Sequence, residues 1–160
     1  MKKIIYYLAI IPIFGLLACS EEEEVEVNTS SIIPLTTASR NNQVQGCIEI
    51  EKRTVVIEAW DGQTIDGDII SIYANKGTAD EEIIISQQEL DGPSNKIRVT
   101  HTFKNGGYNY ITLYAHNLGS LPPNTAAISV DGVPVTLSAN LNTNGALDVV
   151  VKGFGVSCDD

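Results

Sequence analysis

Basic residues are scarce in this chain: ten Lys and Arg stand against twenty Asp and Glu among 160 residues, a formal net charge of −10. No Lys/Arg stripe offsets that deficit, so the chain repels phosphate backbones and anionic surfaces, which excludes nucleic-acid binding. Long hydrophobic runs are also lacking. The longest, Ile4 to Leu17, has fourteen residues and contains Pro12 and Gly15, short of the roughly 20 that a bilayer-spanning helix needs. There are three cysteines and two histidines, no CxxC occurs, and His101 and His116 lie far in sequence from any cysteine. That pattern builds neither a zinc site nor a dithiol redox pair. G-x-S-x-G, H-E-x-x-H and P-loop patterns are missing as well. With no specific pairing of a nucleophile and a base, and no convergent carboxylate pair, the expectation is a protein that is not an enzyme.

What is present begins at the N-terminus. Lys2 and Lys3, the short apolar run and small residues before position 19 make a secretory signal. The segment Leu16-Leu17-Ala18-Cys19 resembles the lipobox of bacterial lipoproteins. The resemblance implies cleavage after residue 18 and acylation of Cys19 by a diacylglycerol and a further acyl chain. Several buried chains at about 0.8 kcal/mol per methylene hold a protein stably on a membrane. Ser20 and Glu21 to Glu24 resemble the acidic tract that, in many Bacteroidetes lipoproteins, directs export to the outer face of the outer membrane. The same charge block also serves as a solvated spacer. Removing Lys2 and Lys3 leaves eight basic against twenty acidic residues, a net of −12. From Val25 to Gln45 the chain is rich in Ser, Thr and Asn with little periodicity. The expected organisation is therefore a signal peptide (1–18), a lipidated tether (19–45) and a single domain (46–160).

Cys47 and Cys158 lie near the two ends of that domain. In an exported chain they are the pair left to bond once Cys19 is acylated, closing a loop of about 110 residues. Between them the periodicity is two. Eight short segments rich in Val, Ile, Thr and Tyr, namely 53–60, 68–75, 82–87, 96–103, 108–116, 126–130, 133–138 and 146–152, are bounded by Gly, Asn, Asp or Pro. In Lys96 to Phe103 the residues Ile97, Val99, His101 and Phe103 share one face, which places His101 in or beside the core. Val130-Asp131-Gly132-Val133 carries the signal of a two-residue hairpin. The predicted fold is all-β, an antiparallel β-sandwich of about eight strands, Ig-like or jelly-roll.

Two stretches, Asp61 to Asn75 (DGQTIDGDIISIYAN) and Asn117 to Ala126 (NLGSLPPNTA), resemble a domain of secreted and surface proteins of Bacteroidetes. With the intervening and following strands the resemblance runs over roughly 54–151. It implies architecture and location and supplies no active residues; His116 stands where that family often has Glu.

Two sites suggest themselves. Asp61, Asp66 and Asp68 form the dense carboxylate cluster of the domain; with backbone carbonyls and Asn75 they offer oxygens to a Ca²⁺ ion, although the EF-hand order is absent and Asp-Gly pairs also make plain turns. Tyr108, Tyr110 and Tyr114 share one parity, and with His116 and Asn117 they offer a face on which a glycan could stack; buried or cross-strand rings are the other reading, and Trp60 is expected in the core. The function expected is a lipid-anchored, outward-facing binding module of the outer membrane for a glycan or surface protein. The alternative is a structural subunit of an envelope complex that offers an edge strand or face.

Overall fold

The computed structural model describes residues 25–159. The signal peptide, Cys19 and the Glu21–Glu24 tract lie outside the described residues. Two sheets pack face to face. The first carries β2 (Thr36–Thr37), β3 (Arg40–Ile50), β11 (Thr143–Val151), β8 (Gly106–Ala115), β5 (Ile69–Ala74) and β6 (Glu82–Glu89) in that spatial order, with β1 (Val27–Asn28) also paired to β8. The second runs β10 (Val133–Ala139), β9 (Asn124–Val130), β4 (Thr54–Asp61) and β7 (Ile97–Thr102). Among the described residues no helix is long and apolar enough to cross a membrane.

The sandwich is the predicted fold, and each of the eight expected segments is a strand. Alternation explains why. Ile70, Ile72 and Ala74 of β5, Ile111, Leu113 and Ala115 of β8, and Leu147, Val149 and Val151 of β11 point into the core. They meet Val55, Ile57 and Ala59 of β4 and Ala126, Ile128 and Val130 of β9. Each large aliphatic side chain buried this way contributes about 1.5–3 kcal/mol. Residues of the opposite parity point away from the core. The order β11-β8-β5 facing β4-β7 follows an Ig-like Greek key, with the β9–β10 hairpin added beside β4. That hairpin turns at Asp131 and Gly132, both at positive φ (47° and 84°), as the sequence predicts.

Three features depart from expectation. The pairing is not wholly antiparallel, because β3 runs parallel to β11 and β1 parallel to β8. The tether expected at 19–45 is also shortened: Val27 onward joins the first sheet, and β3 starts at Arg40, six residues ahead of the expected domain boundary. The third concerns Trp60, which alternates to the outer face of the second sheet, half-buried, with the Lys96 ammonium 4.1 Å from its ring centroid.

The disulfide forms as expected. Cys47 of β3 bonds Cys158 of the C-terminal segment, with Cα atoms 5.7 Å apart and a sequence separation of 111. Cys158 N–H also donates to Glu49 (3.2 Å), and the Tyr108 hydroxyl donates to the Ser157 carbonyl (2.7 Å). The last residues are thereby fixed across the start of β8. The N-terminal segment is fixed at the same pole: Gly106 N–H donates to the Glu26 carbonyl (2.7 Å), and the Asn28 amide to the Tyr108 carbonyl (3.1 Å).

Candidate functional site

β8 runs from that pole to the opposite one. Its ten residues cover about 30 Å at strand rise. At the far pole the β4–β5 connection packs against the connection from β8 to β9. Asn117 ties them together: its side-chain oxygen accepts from Ile69 N–H and its amide donates to the Gly67 carbonyl, both at 2.7 Å. Asn117 is thus a clamp between loops and not a free ligand contact.

Asp61, Asp66 and Asp68 converge beneath this clamp. Their nearest ligand atoms lie within 4.8 Å of one another. Each carboxylate is oriented by one backbone donor. Asp61 Oδ1 accepts from Gln63 N–H (2.9 Å), Asp66 Oδ2 from Leu121 N–H (2.6 Å) and Asp68 Oδ2 from Thr125 N–H (3.1 Å). Asp61 and Asp68 are 5% and 3% exposed, and Asp61 Oδ2 and Asp68 Oδ1 are buried with no donor. Unit charges about 4 Å apart repel by about 4 kcal/mol at an effective dielectric of 20. Burial, with the neighbouring charges of Asp66 and Asp61 adding to it, pushes the Asp68 carboxyl up to about 6, against the pull of the Thr125 N–H. A cavity of about 50 Å³ opens onto the three carboxylates, with Gln63 and Thr64 also on its wall. That volume holds an ion or one to two waters and excludes an organic ligand. Asn75, expected as an additional oxygen donor, is at the other end of β5, where it pairs with the Asn109 side chain (3.0 Å) and with Tyr110 N–H (2.9 Å). It belongs to the fold.

Burial takes Tyr108 and Tyr110 out of the expected sugar platform. Tyr108 and Tyr110 are 5% and 0% exposed. Their parity does point away from the core, but the terminal segments and the Lys76 turn cover that side: Tyr108 donates to Ser157, and the Tyr110 hydroxyl donates to the Lys76 carbonyl. Burial raises the Tyr110 phenol well above its usual range. Tyr114 is half-buried, and its ring face is taken by the Arg40 guanidinium at 3.7 Å, as that of its edge-on neighbour Tyr73 is by the Lys76 ammonium at 3.3 Å. A cation over a ring satisfies the ring's negative face, and a sugar would have to displace it.

His116 forms a contact that sequence reading missed. Its Nε2 lies 2.8 Å from Ser71 Oγ, which also accepts from Gln87 N–H at 2.9 Å. The signal was hidden because the partners are 45 residues apart. Ser71 is 2% exposed, so the hydroxyl is committed to joining β5, β6 and the end of β8. Burial, then the charges of Arg40 and Lys76, hold the His116 pKa below its ordinary value. A groove of about 460 Å³ on the outer face of the second sheet is lined by Glu58, Arg98, Ser129 and Asp131. Its central charge is already matched: Glu58 accepts from Arg98 at 2.7 Å, Ser129 at 3.0 Å and Lys96 at 3.3 Å.

Comparison with known proteins adds no relative: no family model matches the chain, and no curated protein or solved structure matches it.

Proposed function

We propose that this chain is a lipid-anchored module of the outer membrane, facing the cell exterior, that binds a glycan or surface protein through its loop pole and catalyses no reaction. One observation carries this reading. The chain enters the sandwich beside Gly106, at the start of β8, whereas the acidic cavity and its loops lie beyond Ala115, at the end of the same strand. A lipid on Cys19, six residues before Val25, would put the entry pole near the membrane and present the loops about 30 Å further out, the length of β8. The disulfide and the N-terminal strand brace the entry pole, where mechanical load from an anchor would fall. The resemblance of residues 16–19 to a lipobox and of 61–75 and 117–126 to a Bacteroidetes surface domain supports the same placement.

The loop pole also carries exposed apolar side chains, Ile65 at 60% and Leu121 at 61%, in the two connections that supply and orient the carboxylates. Apolar groups beside fixed polar ones are the composition of a recognition surface. The test is a glycan array, paired with cross-linking on intact cells, using the full chain and an Ile65→Ser/Leu121→Ser variant. Binding that the variant loses supports the loop pole. If the array stays blank and cross-links run through β6, β7 or β10 to an envelope protein, the structural-subunit reading replaces it.

A further inference from the structure

We propose that Asp61, Asp66 and Asp68 hold a single divalent cation of the Ca²⁺ class, which locks the β4–β5 connection to the connection between β8 and β9. The cluster is more than a collection of acids on a surface. Two of its carboxylates, Asp61 and Asp68, are 5% and 3% exposed; each keeps one buried oxygen without a donor, and all three residues line the shared cavity with ligand atoms within 4.8 Å of one another. The second oxygens are held back by Gln63, Leu121 and Thr125 N–H groups, so the free oxygens are fixed in place before any ion arrives. No Lys, Arg or His is among the residues lining the cavity. The negative charge at this point is therefore left for a small cation to balance. The donor set is all oxygen, and the Gln63 and Thr64 side chains on the wall, with water, extend three carboxylates toward the six to eight ligands that Ca²⁺ takes. Thiolate- and imidazole-seeking metals have nothing to select them here. Because Asp61 ends β4 and Asp66 and Asp68 lie in the β4–β5 connection, while the N–H donors Leu121 and Thr125 lie in the β8–β9 connection and at the start of β9, the ion stiffens both loops at once. This inference is independent of the ligand: the ion can bind in a chain that recognises neither a glycan nor a protein.

The experiment is calorimetric titration of the chelator-treated full chain with CaCl₂, accompanied by amide chemical shifts. The expected result is one ion per chain with a dissociation constant on the order of 10⁻⁴ M or tighter. The amides of Gln63, Leu121 and Thr125 should shift, and Asp61→Asn and Asp68→Asn should each weaken binding by about tenfold or more. The shifts in the unsubstituted protein locate the ion even if a variant fails to fold. Three results would overturn the proposal: no heat and no change of melting temperature at about 10 mM Ca²⁺; shifts confined to Glu21–Glu24; or affinity unchanged in folded Asp61→Asn and Asp68→Asn chains.

Discussion

Gly119 lies directly against Asp66: a Cβ built on Gly119 would stand 2.6 Å from the carboxyl carbon and from both its oxygens, and the Gly119 backbone has φ +55°. Steric space and backbone conformation thus both demand glycine here, at the point where the β8–β9 connection turns over the acidic cluster. Gly119→Ala should push Asp66 out of place, costing about 1–3 kcal/mol of stability and weakening Ca²⁺ by about tenfold or more. Urea unfolding of the chelated protein separates the first effect from the second, which calorimetry reads.

Removing the disulfide gives a second prediction. The Cys47–Cys158 bond closes a loop whose ends are 111 residues apart in sequence, long enough for the chain-entropy model to assign it up to about 4.7 kcal/mol. Replacing both cysteines by serine should lower stability by about 2–5 kcal/mol. A loss below about 0.5 kcal/mol in urea unfolding would mean that β1 and β3 already hold the entry pole without it.

Tyr110 tests the correction to the aromatic face. Tyr110→Phe leaves the buried Lys76 carbonyl without the hydroxyl that donates to it, and an unsatisfied buried acceptor costs about 1–3 kcal/mol. Thermal unfolding should register that loss, whereas any glycan affinity of the loop pole should stay unchanged. Lost binding in a folded variant would restore the tyrosine face as a ligand site.

The half-buried His101 sets a pH dependence. His101 has its Nε2 buried without a partner and packs edge-on to Phe103 at 4.8 Å. Burial holds its pKa below the ordinary 6.5, with Glu82 pulling the other way and Lys104 adding to the depression. The unfolded chain therefore takes up the proton at higher pH than the folded one does. The stability that neutral His101 contributes is complete above the unfolded pKa and is lost as pH falls through the folded value. Asp68, whose folded carboxyl is pushed up to about 6, gains stability over the same range, so the histidine is read from the difference: between pH 7.5 and pH 5 the urea midpoint of the unsubstituted chain should drop relative to that of His101→Phe, and an identical pH dependence in the two chains would contradict it.

His101 also marks how far the sequence could be read. Its inward position follows from strict alternation between Lys96 and Phe103, and the same rule finds the other strands that bury one apolar face. β3 escapes it because Arg40, Asn42 and Gln45 are held by specific polar contacts: Arg40 to the Ala115 carbonyl at 2.7 Å, Asn42 to the Pro34 carbonyl at 2.8 Å, and Gln45 to both backbone groups of Ser138. A strand held by such side-chain hydrogen bonds shows no hydrophobic period. Parity placed Tyr108 and Tyr110 on one face correctly, but their cover comes from the terminal segments and from the Lys76 turn, which local pattern does not reveal. At the acidic cluster the three aspartates were legible. The orientation of Asp66 and Asp68 was not, because Leu121 and Thr125 supply it from more than fifty residues away.

Intact mass of the protein extracted from its own membrane tests the lipid anchor most directly. The expected polypeptide starts at Cys19, carries a diacylglycerol and a further acyl chain on that residue, and lacks the two hydrogens that the Cys47–Cys158 bond removes. A chain that starts at Met1, or at Cys19 with no lipid, would contradict the anchored placement and with it the reading of the loop pole as the end presented outward.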